Sequence, residues 1–568
     1  MLISLLNFVW IAFCAFLFGF AVCRILTRFH LIADAFPAPD FIFVAGIAAL
    51  TAFSQWFSIF YRIGILATFV LVLLDALIVL LLFRSLKEWI ITFFHSCNIY
   101  RYLFWLSLAA FFFSILASTA PVVYDTSLYH VQAIEWIEKY GVVKGLGNLH
   151  NRLAYNSSFF ALQALFSWNS IVGQSLHGMN CLLALFFSSY AVSRIWSYFR
   201  QSVSSCYPVL EQIFNFLILY QIFSSATGLS SPGTDLLPML LILYIFSRWS
   251  RDPEQLPFLF LTAVFGATVK LSIASLVIIG IPLCITVLLQ KRWKQFFCYA
   301  ILCLYLALPF LIRNILISGY LLYPSTLLDL FSVDWKMPAY TVTFDNHEII
   351  AWGRRLNDVN KYGWPITRWF PIWFSDISFS EKMLFAGHIL FIPLAVFRIL
   401  FSILKRKTDA ITGMFTVSLV GLLTWFFSSP LIRYGNVYLC LIPAICAGQL
   451  LHRWKFTRRV TQVLLPLAGC ILVTWMPLSV IPKYPVIRLI NPNDYEAFAC
   501  STREIAPGIQ IYYPTETPER TGYDTFPSTP YPKRLDLIEL RGDSLEDGFR
   551  IRPEFKDRKI TTYGDILP

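Results

Sequence analysis

The segment 122–141, VVYDTSLYHVQAIEWIEKYG, places an acid, an imidazole and two further carboxylates directly after a long apolar run. A carboxylate held at a membrane surface can take a proton from a hydroxyl and so act as a general base. We therefore predict that Asp125 is a catalytic base and that His130 is a second polar group beside it. The plain alternatives are that Asp125 only caps a helix and that His130 is an ordinary interfacial histidine. We interpret Glu135 and Glu138 as a solvated helix face.

Four basic residues lie at or beyond the outer ends of apolar runs, opposite to the side that carries most of the positive charge. They are Lys270 in GATVKLSIAS, Arg313 in PFLIRNILISGY, Arg433 in SSPLIRYGN and Arg152 in NLHNRLAYNSS. A cation at membrane depth is costly and usually faces a cavity with a partner. Arginine binds phosphate in bidentate fashion and lysine acts as a point charge, so we predict a site for the phosphate of a lipid carrier. The alternative is that each side chain merely reaches up to the interface.

Further polar residues are expected to line the same cavity. They are Tyr129, Asn156, Asp235 and Tyr434. Asp235, in SSPGTD, fits a helix cap equally well, and Asn156 is a plausible cap of the helix that follows it. The cysteines show no spacing typical of a metal site or a disulfide framework. The sequence therefore predicts neither a metal nor a cofactor.

The composition shows what positions these residues. The chain has 568 residues, of which 57% are hydrophobic and only 14% are charged. An ordinary soluble domain is about 25% charged. Apolar runs near the length that crosses a bilayer recur along the chain, which predicts an all-α polytopic membrane protein. The net charge of +12 lies mostly in short loops, so it indicates topology rather than nucleic-acid binding.

We predict about fourteen transmembrane helices, at 2–22, 41–60, 63–83, 102–119, 173–193, 212–229, 235–249, 256–271, 273–290, 296–312, 384–404, 410–428, 435–451 and 460–479. In this arrangement the clusters of arginine and lysine in alternate loops all fall on one side, which the positive-inside rule makes cytoplasmic. Both termini are then expected on the exoplasmic side of a bacterial inner membrane.

The same topology predicts three regions. Residues 1–101 form extra N-terminal transmembrane helices, and residues 102–480 form a core with exoplasmic loops 120–172 and 313–383. Residues 481–568 have ordinary polarity and short alternating patches, which predict a small ordered exoplasmic domain. Within loop 120–172, the apolar stripe from Thr126 to Tyr140 predicts a helix lying along the membrane surface as a shelf.

These residues carry a resemblance. The strings YDTSLYH at 124–130, KLS at 270–272, RNILISGYLLYPS at 313–325 and PLIRYG at 430–435 resemble elements of GT-C-type integral membrane glycosyltransferases. With SPGTD at 231–235 and PSTPY at 527–531, they are also similar to a family of uncharacterised bacterial membrane proteins often encoded with surface-polysaccharide genes.

The resemblance implies a GT-C-like fold with interfacial exoplasmic helices and a polyprenyl-phosphate-linked sugar as donor. It implies that Asp125 deprotonates the hydroxyl of a glycan, lipid or protein acceptor, and that Lys270 and Arg433 hold the donor phosphate. Two features depart from the family's pattern. Three spans precede the one that leads to Asp125, and no adjacent acid pair accompanies it. The missing pair favours an inverting mechanism that needs no metal.

Two other functions fit the sequence. A surface-polysaccharide polymerase or ligase would act on polyprenyl diphosphate glycans through loop 313–383, with His347, Arg354 and Arg355 as its working residues. A transporter of lipid-linked glycans would carry out no covalent chemistry. Its halves would be expected to repeat a pair of broken helices, and we find no such repeat in the sequence.

Overall fold

The structure, a computed structural model, describes residues 1–32, 36–96, 99–198, 206–407, 409–453, 490 and 494–556. Helices dominate it because a chain in hydrocarbon must satisfy its backbone polar groups within each segment. Eight of the described helices are long and apolar enough to cross a membrane: Leu2–Arg28, Pro39–Phe60, Ile65–His95, Leu271–Leu289, Trp293–Ser318, Phe379–Leu404, Ala410–Ser428 and Ile432–His452. The protein is thus a multi-pass helical membrane protein.

The α-helices have the following bounds: α1 Leu2–Arg28, α2 Pro39–Phe60, α3 Ile65–Ser96, α4 Ile99–Ala117, α5 Val131–Tyr140, α6 Leu146–Leu149, α7 Ser158–Leu165, α8 Asn169–Val172, α9 Met179–Tyr198, α10 Tyr207–Ser224, α11 Leu236–Arg251, α12 Leu256–Val269, α13 Gly280–Leu289, α14 Trp293–Ser318, α15 Ala339–Gly353, α16 Ile366–Asp376, α17 Phe379–Leu404, α18 Ala410–Ser428 and α19 Ile432–Arg453. A 3₁₀ helix over Leu271–Ile279 continues directly into α13.

Each of the first thirteen predicted spans coincides with a helix, and the fourteenth, at 460–479, lies outside the described residues. Some of these helices are short. α11 has 16 residues, which amounts to about 24 Å of rise against about 30 Å of hydrocarbon. The number of fourteen spans therefore stays a prediction, while a set of eight meets the requirements of length and hydropathy.

The predicted shelf is a run of short helices after α4. Asp125 precedes a π-helical turn at Thr126–His130, which leads into α5. Gly141 ends α5 with a φ of +74°, and a Cβ there would meet the backbone oxygen of Ser58 at 2.7 Å. Only glycine takes that conformation and that space without strain. The expected shelf helix is thus present, with a wider first turn.

Two predictions about the shelf were wrong. Glu135 and Glu138 are buried, with 5% and 8% exposure, rather than solvated. Glu135 pairs with Lys139 at 2.7 Å, and Glu138 accepts hydrogen bonds from Asn169 and from the Ser175 hydroxyl. The polar face of α5 is therefore covered by other parts of the protein. An amphipathic pattern marks this face as polar without telling whether water or polar protein groups meet it.

The helix cap in the same region also differs from the prediction. Ser157, not Asn156, caps α7, because its hydroxyl accepts a hydrogen bond from the backbone N–H of Phe159 at 3.3 Å. Asn156 instead donates to the carbonyl of Phe310 at 2.9 Å and to Asn314 at 3.1 Å. Its side chain thus joins the shelf to α14.

The structure describes the C-terminal region over residues 494–556. Two antiparallel hairpins form it: β1 Cys500–Ala506 with β2 Ile509–Pro514, and β3 Ile538–Leu540 with β4 Phe549–Ile551. The region docks on the shelf. The backbone N–H groups of Thr521 and Gly522 both donate to the carbonyl of Ser127, at 3.1 and 2.9 Å. Gln132 donates to the carbonyls of Gly522 and Thr525. This segment therefore lies directly over the turn that carries Asp125.

Candidate functional site

Four charged side chains from distant parts of the sequence meet beside Tyr434. Arg433 Nη2 donates to Asp125 Oδ2 at 3.0 Å and to the Tyr434 hydroxyl at 2.8 Å. Arg433 Nε lies 3.9 Å from Asp235 Oδ2. Lys270 Nζ donates to Asp235 Oδ1. We call Asp125, Asp235, Lys270 and Arg433 the ionic cluster.

Each member of the ionic cluster stands at a helix end. Asp125 and Asp235 precede the turn that leads into α5 and the helix α11, respectively. Lys270 has an extended backbone between α12 and the 3₁₀ helix, and Arg433 is the second residue of α19. Even numbers of the predicted spans separate successive members of the cluster along the chain. Their convergence therefore agrees with a topology in which all four lie at one membrane face.

Capping does not explain the two carboxylates. Asp125 and Asp235 both occupy the position before a helix, but neither side chain makes a capping hydrogen bond. Both instead contact the cations of the ionic cluster. Lys270 also lies 3.7 Å from the centre of the Tyr434 ring, in cation–π contact. The two cations are therefore partnered, as expected of basic residues at membrane depth.

The loop 313–383 holds the start of α19 in place. The indole N–H of Trp373 donates to the carbonyl of Pro430 at 2.7 Å, and the Ser429 hydroxyl donates to the carbonyl of Ile349 at 3.0 Å. Within the bundle, Trp425 donates to the carbonyl of Leu431 at 3.0 Å. Three successive residues before α19 are thus fixed, and this positions Arg433 against Asp125.

The ionic cluster is electrically balanced and partly open. Two carboxylates face two cations, so the formal charge is zero. The side chain of Arg433 is 49% exposed and that of Asp125 is 18% exposed. Burial alone would raise the pKa of Asp235, but Lys270 and Arg433 lower it, and the net effect is a pKa below the usual value. Asp235 therefore carries its charge at neutral pH and shares it between both cations.

His130 is buried among aromatic rings and does not face an open cavity. It is 4% exposed, with its ring 4.4 Å from that of Tyr129 and 5.4 Å from that of Phe160. Burial lowers the pKa of His130 to about 4, although Asp125 and Asp235 act in the opposite sense. The imidazole is thus neutral at pH 7.

Arg313, predicted to hold phosphate, does not join the ionic cluster. Its guanidinium donates to Asn156 Oδ1 at 3.0 Å and to the hydroxyl of Ser58. The side chain is only 2% exposed. Arg313 lies more than one turn before the end of α14, which turns it inward between α2 and the shelf. The prediction overlooked this offset from the helix end.

Arg152 belongs to a second group of charges. Its guanidinium lies 3.4 Å from Glu519 of the C-terminal region and 3.7 Å from Glu348 of α15. We call these three residues the Arg152 cluster. Tyr129 lies near this cluster, with its ring 5.9 Å from that of Tyr155, and burial raises the pKa of its hydroxyl.

A buried carboxylate that the sequence did not single out lies on α15, three residues before Glu348. Asp345 is fully buried and accepts hydrogen bonds from Asn151 Nδ2 at 2.7 Å and from the Tyr323 hydroxyl at 2.6 Å. Burial raises the pKa of Asp345, and Tyr323, Tyr155 and Arg152 oppose that rise. Asp345 therefore joins α15 to the shelf.

The residues proposed for a polymerase make contacts within the loop. His347 stacks on Tyr362 with ring centres 3.3 Å apart. Arg354 donates to the carbonyl of Tyr362 at 2.5 Å and lies over the Trp369 ring, and Arg355 pairs with Asp376 at 3.0 Å.

In the described part of the chain, no group of three histidine, cysteine or acidic residues is placed to hold a metal.

A family model matches most of the chain, which therefore belongs to that family. Residues 1–440 match the family described as Domain of unknown function (DUF8201). No curated protein matches the chain, and no solved structure matches it. The family match covers the shelf, all four members of the ionic cluster and Tyr434.

Proposed function

We propose that this protein is a membrane glycosyltransferase that uses a polyprenyl-phosphate-linked sugar at the exoplasmic face of a bacterial inner membrane. The observation that carries the proposal is the convergence of Asp125, Lys270 and Arg433 beside one tyrosine. A carboxylate next to two cations provides a base and an anion site within one small volume. The proposal includes a GT-C-like fold, which the resemblance of the sequence supports.

The reaction assigned to this site needs both kinds of group. Asp125 accepts the proton of an acceptor hydroxyl while the oxygen of that hydroxyl bonds to the anomeric carbon of the donor sugar. The bond from that carbon to the phosphate oxygen breaks, and the phosphate leaves with the electron pair. Lys270 and Arg433 stabilise the charge that develops on the leaving phosphate. Attack from the face opposite the phosphate inverts the anomeric centre.

The zero formal charge of the ionic cluster adds a requirement. Without donor, Arg433 is held by Asp125, and Lys270 is held by Asp235. A donor phosphate must compete with those carboxylates for the same donors. Its arrival would draw Arg433 away from Asp125 and leave the carboxylate free to accept a proton. Donor binding and base activation are thus coupled through Arg433.

The test is turnover by purified full-length protein with a panel of polyprenyl-phosphate sugars, read as release of polyprenyl phosphate. Asp125→Asn keeps the shape of the side chain and removes the base, so we expect the rate to fall about 100-fold or more. Asp329→Asn is the matched control, because Asp329 is a 48% exposed loop carboxylate that pairs with Lys336. It should retain the wild-type rate.

Wild-type turnover by Asp125→Asn would overturn the proposed mechanism. Loss confined to Arg354 and His347 variants would favour the polymerase or ligase instead. Binding of the lipid-linked sugar without any turnover by the wild-type protein would favour a transporter.

A further inference from the structure

We propose that the Arg152 cluster, together with Tyr124, is the binding site for the sugar ring of a glycan acceptor. This inference rests on the proposed function and names the chemistry of its second substrate. It makes the C-terminal region a part of the substrate site, through Glu519.

The site is assembled from three segments. Arg152 comes from the shelf, Glu348 from α15 and Glu519 from the C-terminal region. The side chains are 17%, 15% and 32% exposed in that order, so they are partly sheltered and still reachable. Such a junction of three segments fixes the groups relative to each other before any ligand binds.

The ion pairs in the Arg152 cluster are loose. The distances of 3.4 and 3.7 Å exceed the 2.7–2.9 Å of a tight charge-assisted hydrogen bond. One guanidinium also faces two carboxylates, so acceptor capacity exceeds donor capacity. Hydroxyl groups of a sugar fit this imbalance, because each can donate to a carboxylate and accept from the guanidinium.

Tyr124 adds an aromatic surface next to these charges. Its side chain is 50% exposed, and the guanidinium of Arg520 lies 5.3 Å from the ring centre. Burial raises the pKa of Tyr124 and is the largest influence on it. Smaller influences come from the nearby charges of Glu519, Arg520, Arg152 and Asp125. The apolar face of a sugar ring suits such an aromatic surface, and the adjacent Asp125 could then reach a hydroxyl of the same sugar.

The position of the Arg152 cluster suits the sugar of the acceptor better than the sugar of the donor. Lys270 and Arg433, which are assigned to the donor phosphate, lie at the ends of membrane helices. The Arg152 cluster instead joins the shelf to α15 and to Glu519, in the segment of the C-terminal region that is hydrogen-bonded to the shelf through Thr521, Gly522 and Thr525. A hydroxyl that attacks opposite to the phosphate must come from this direction.

The test is saturation-transfer NMR on the full-length protein in nanodiscs, with methyl glycosides of glucose, galactose, mannose, rhamnose and N-acetylglucosamine as probes. We expect at least one probe to bind, and Glu519→Gln and Glu348→Gln each to weaken it about 10-fold. Glu539→Gln is the matched control. It removes a Glu–Arg pair of the C-terminal region, with Arg550 at 2.7 Å, outside the Arg152 cluster.

Several outcomes would overturn this assignment. They are the absence of binding by every probe, an equal loss in Glu539→Gln, and unchanged binding in both test variants. Adding undecaprenyl phosphate separates the two sugars: unchanged binding supports an acceptor site, and competition would place the probe in the donor site.

The two proposals can fail separately. Asp125→Asn should retain glycoside binding. If turnover also survives Asp125→Asn while Glu519→Gln still loses binding, the proposed mechanism fails and the sugar site stands.

Discussion

At the scale of single residues, the ionic cluster explains how two cations are accommodated at the ends of membrane helices. The charges alternate in space, from Asp125 to Arg433 to Asp235 to Lys270, so each cation contacts a carboxylate. An isolated charge in this position would be costly. The alternation of two carboxylates and two cations lowers that cost, because every charge has a partner of opposite sign. The same balance limits how strongly an anion can bind.

Removing Asp235 should strengthen anion binding. Asp235→Asn leaves Lys270 and Arg433 without their shared carboxylate and gives the ionic cluster a net charge of +1. One added charge within a few ångströms should tighten the affinity for pyrophosphate about 10-fold. Isothermal titration of the purified protein with pyrophosphate measures this, and Asp329→Asn should leave the affinity unchanged. Weaker or unchanged binding in Asp235→Asn would mean that these cations do not form an anion site.

The buried His130 should make stability depend on pH. Its pKa is lowered from 6.5 to about 4, so between pH 6.5 and about pH 4 this histidine is protonated in the unfolded chain and neutral in the folded protein. Stability from this residue is therefore present above pH 6.5 and is lost as the pH falls, by about 2 kcal/mol at pH 5. Glu135, with a pKa raised by burial to about 7, acts in the opposite sense.

The measurement compares apparent unfolding temperatures in detergent at pH 7.5 and pH 5. Because other groups also titrate, the informative quantity is the difference between wild type and His130→Gln at each pH. We expect the wild type to lose more stability on acidification than the variant does. Equal losses would show that His130 is protonated in the folded protein.

At the scale of elements, the helices followed from the sequence, because bilayer-length apolar runs leave the backbone little alternative. The positions of Lys270 and Arg433 at helix ends also followed, since both break the charge pattern of the loops. The contacts of Arg152 did not follow. Glu348 and Glu519 are 196 and 367 residues away from it, and no local pattern links residues at such separations.

The element that positions Arg433 can be tested through Trp373. This residue is fully buried in α16, and its indole N–H donates to the carbonyl of Pro430. Trp373→Phe keeps an aromatic ring and leaves that carbonyl without its donor, which should cost about 1–3 kcal/mol. We expect a raised KM for the lipid-linked donor, because the start of α19 moves relative to Asp125.

The control for this variant is Trp105→Phe, since Trp105 is 58% exposed on α4. Its kinetics should match the wild type in the same turnover assay. A Trp373→Phe protein with unchanged KM would show that the other two hydrogen bonds of the segment suffice to hold Arg433.

At the scale of the whole molecule, the shelf, loop 313–383 and the C-terminal region are joined by direct contacts into one unit. Phe549 N donates to the carbonyl of Lys144 at 2.9 Å, and Arg541 pairs with Asp334 at 2.7 Å. These contacts tie the C-terminal region to the shelf and to loop 313–383. Whichever side of the membrane holds Asp125 must therefore also hold the C-terminal region.

Cysteine labelling can decide which side that is. Single substitutions would be placed at Glu496 in the C-terminal region, 63% exposed, at Asp376, the last residue of α16, 52% exposed, and at Arg292 in the exposed turn between α13 and α14. The positive-inside rule predicts that Arg292 is cytoplasmic. A membrane-impermeant maleimide applied to spheroplasts should thus label Glu496→Cys and Asp376→Cys directly, and Arg292→Cys only after the inner membrane is permeabilised.

The unsubstituted protein, whose cysteines within the described residues are buried or half-buried, supplies the background. The reverse pattern would place the ionic cluster on the cytoplasmic face, where an exoplasmic acceptor could not reach Asp125. Labelling of all three positions without permeabilisation would contradict the single crossing, at 296–312, that is predicted between Arg292 and Asp376.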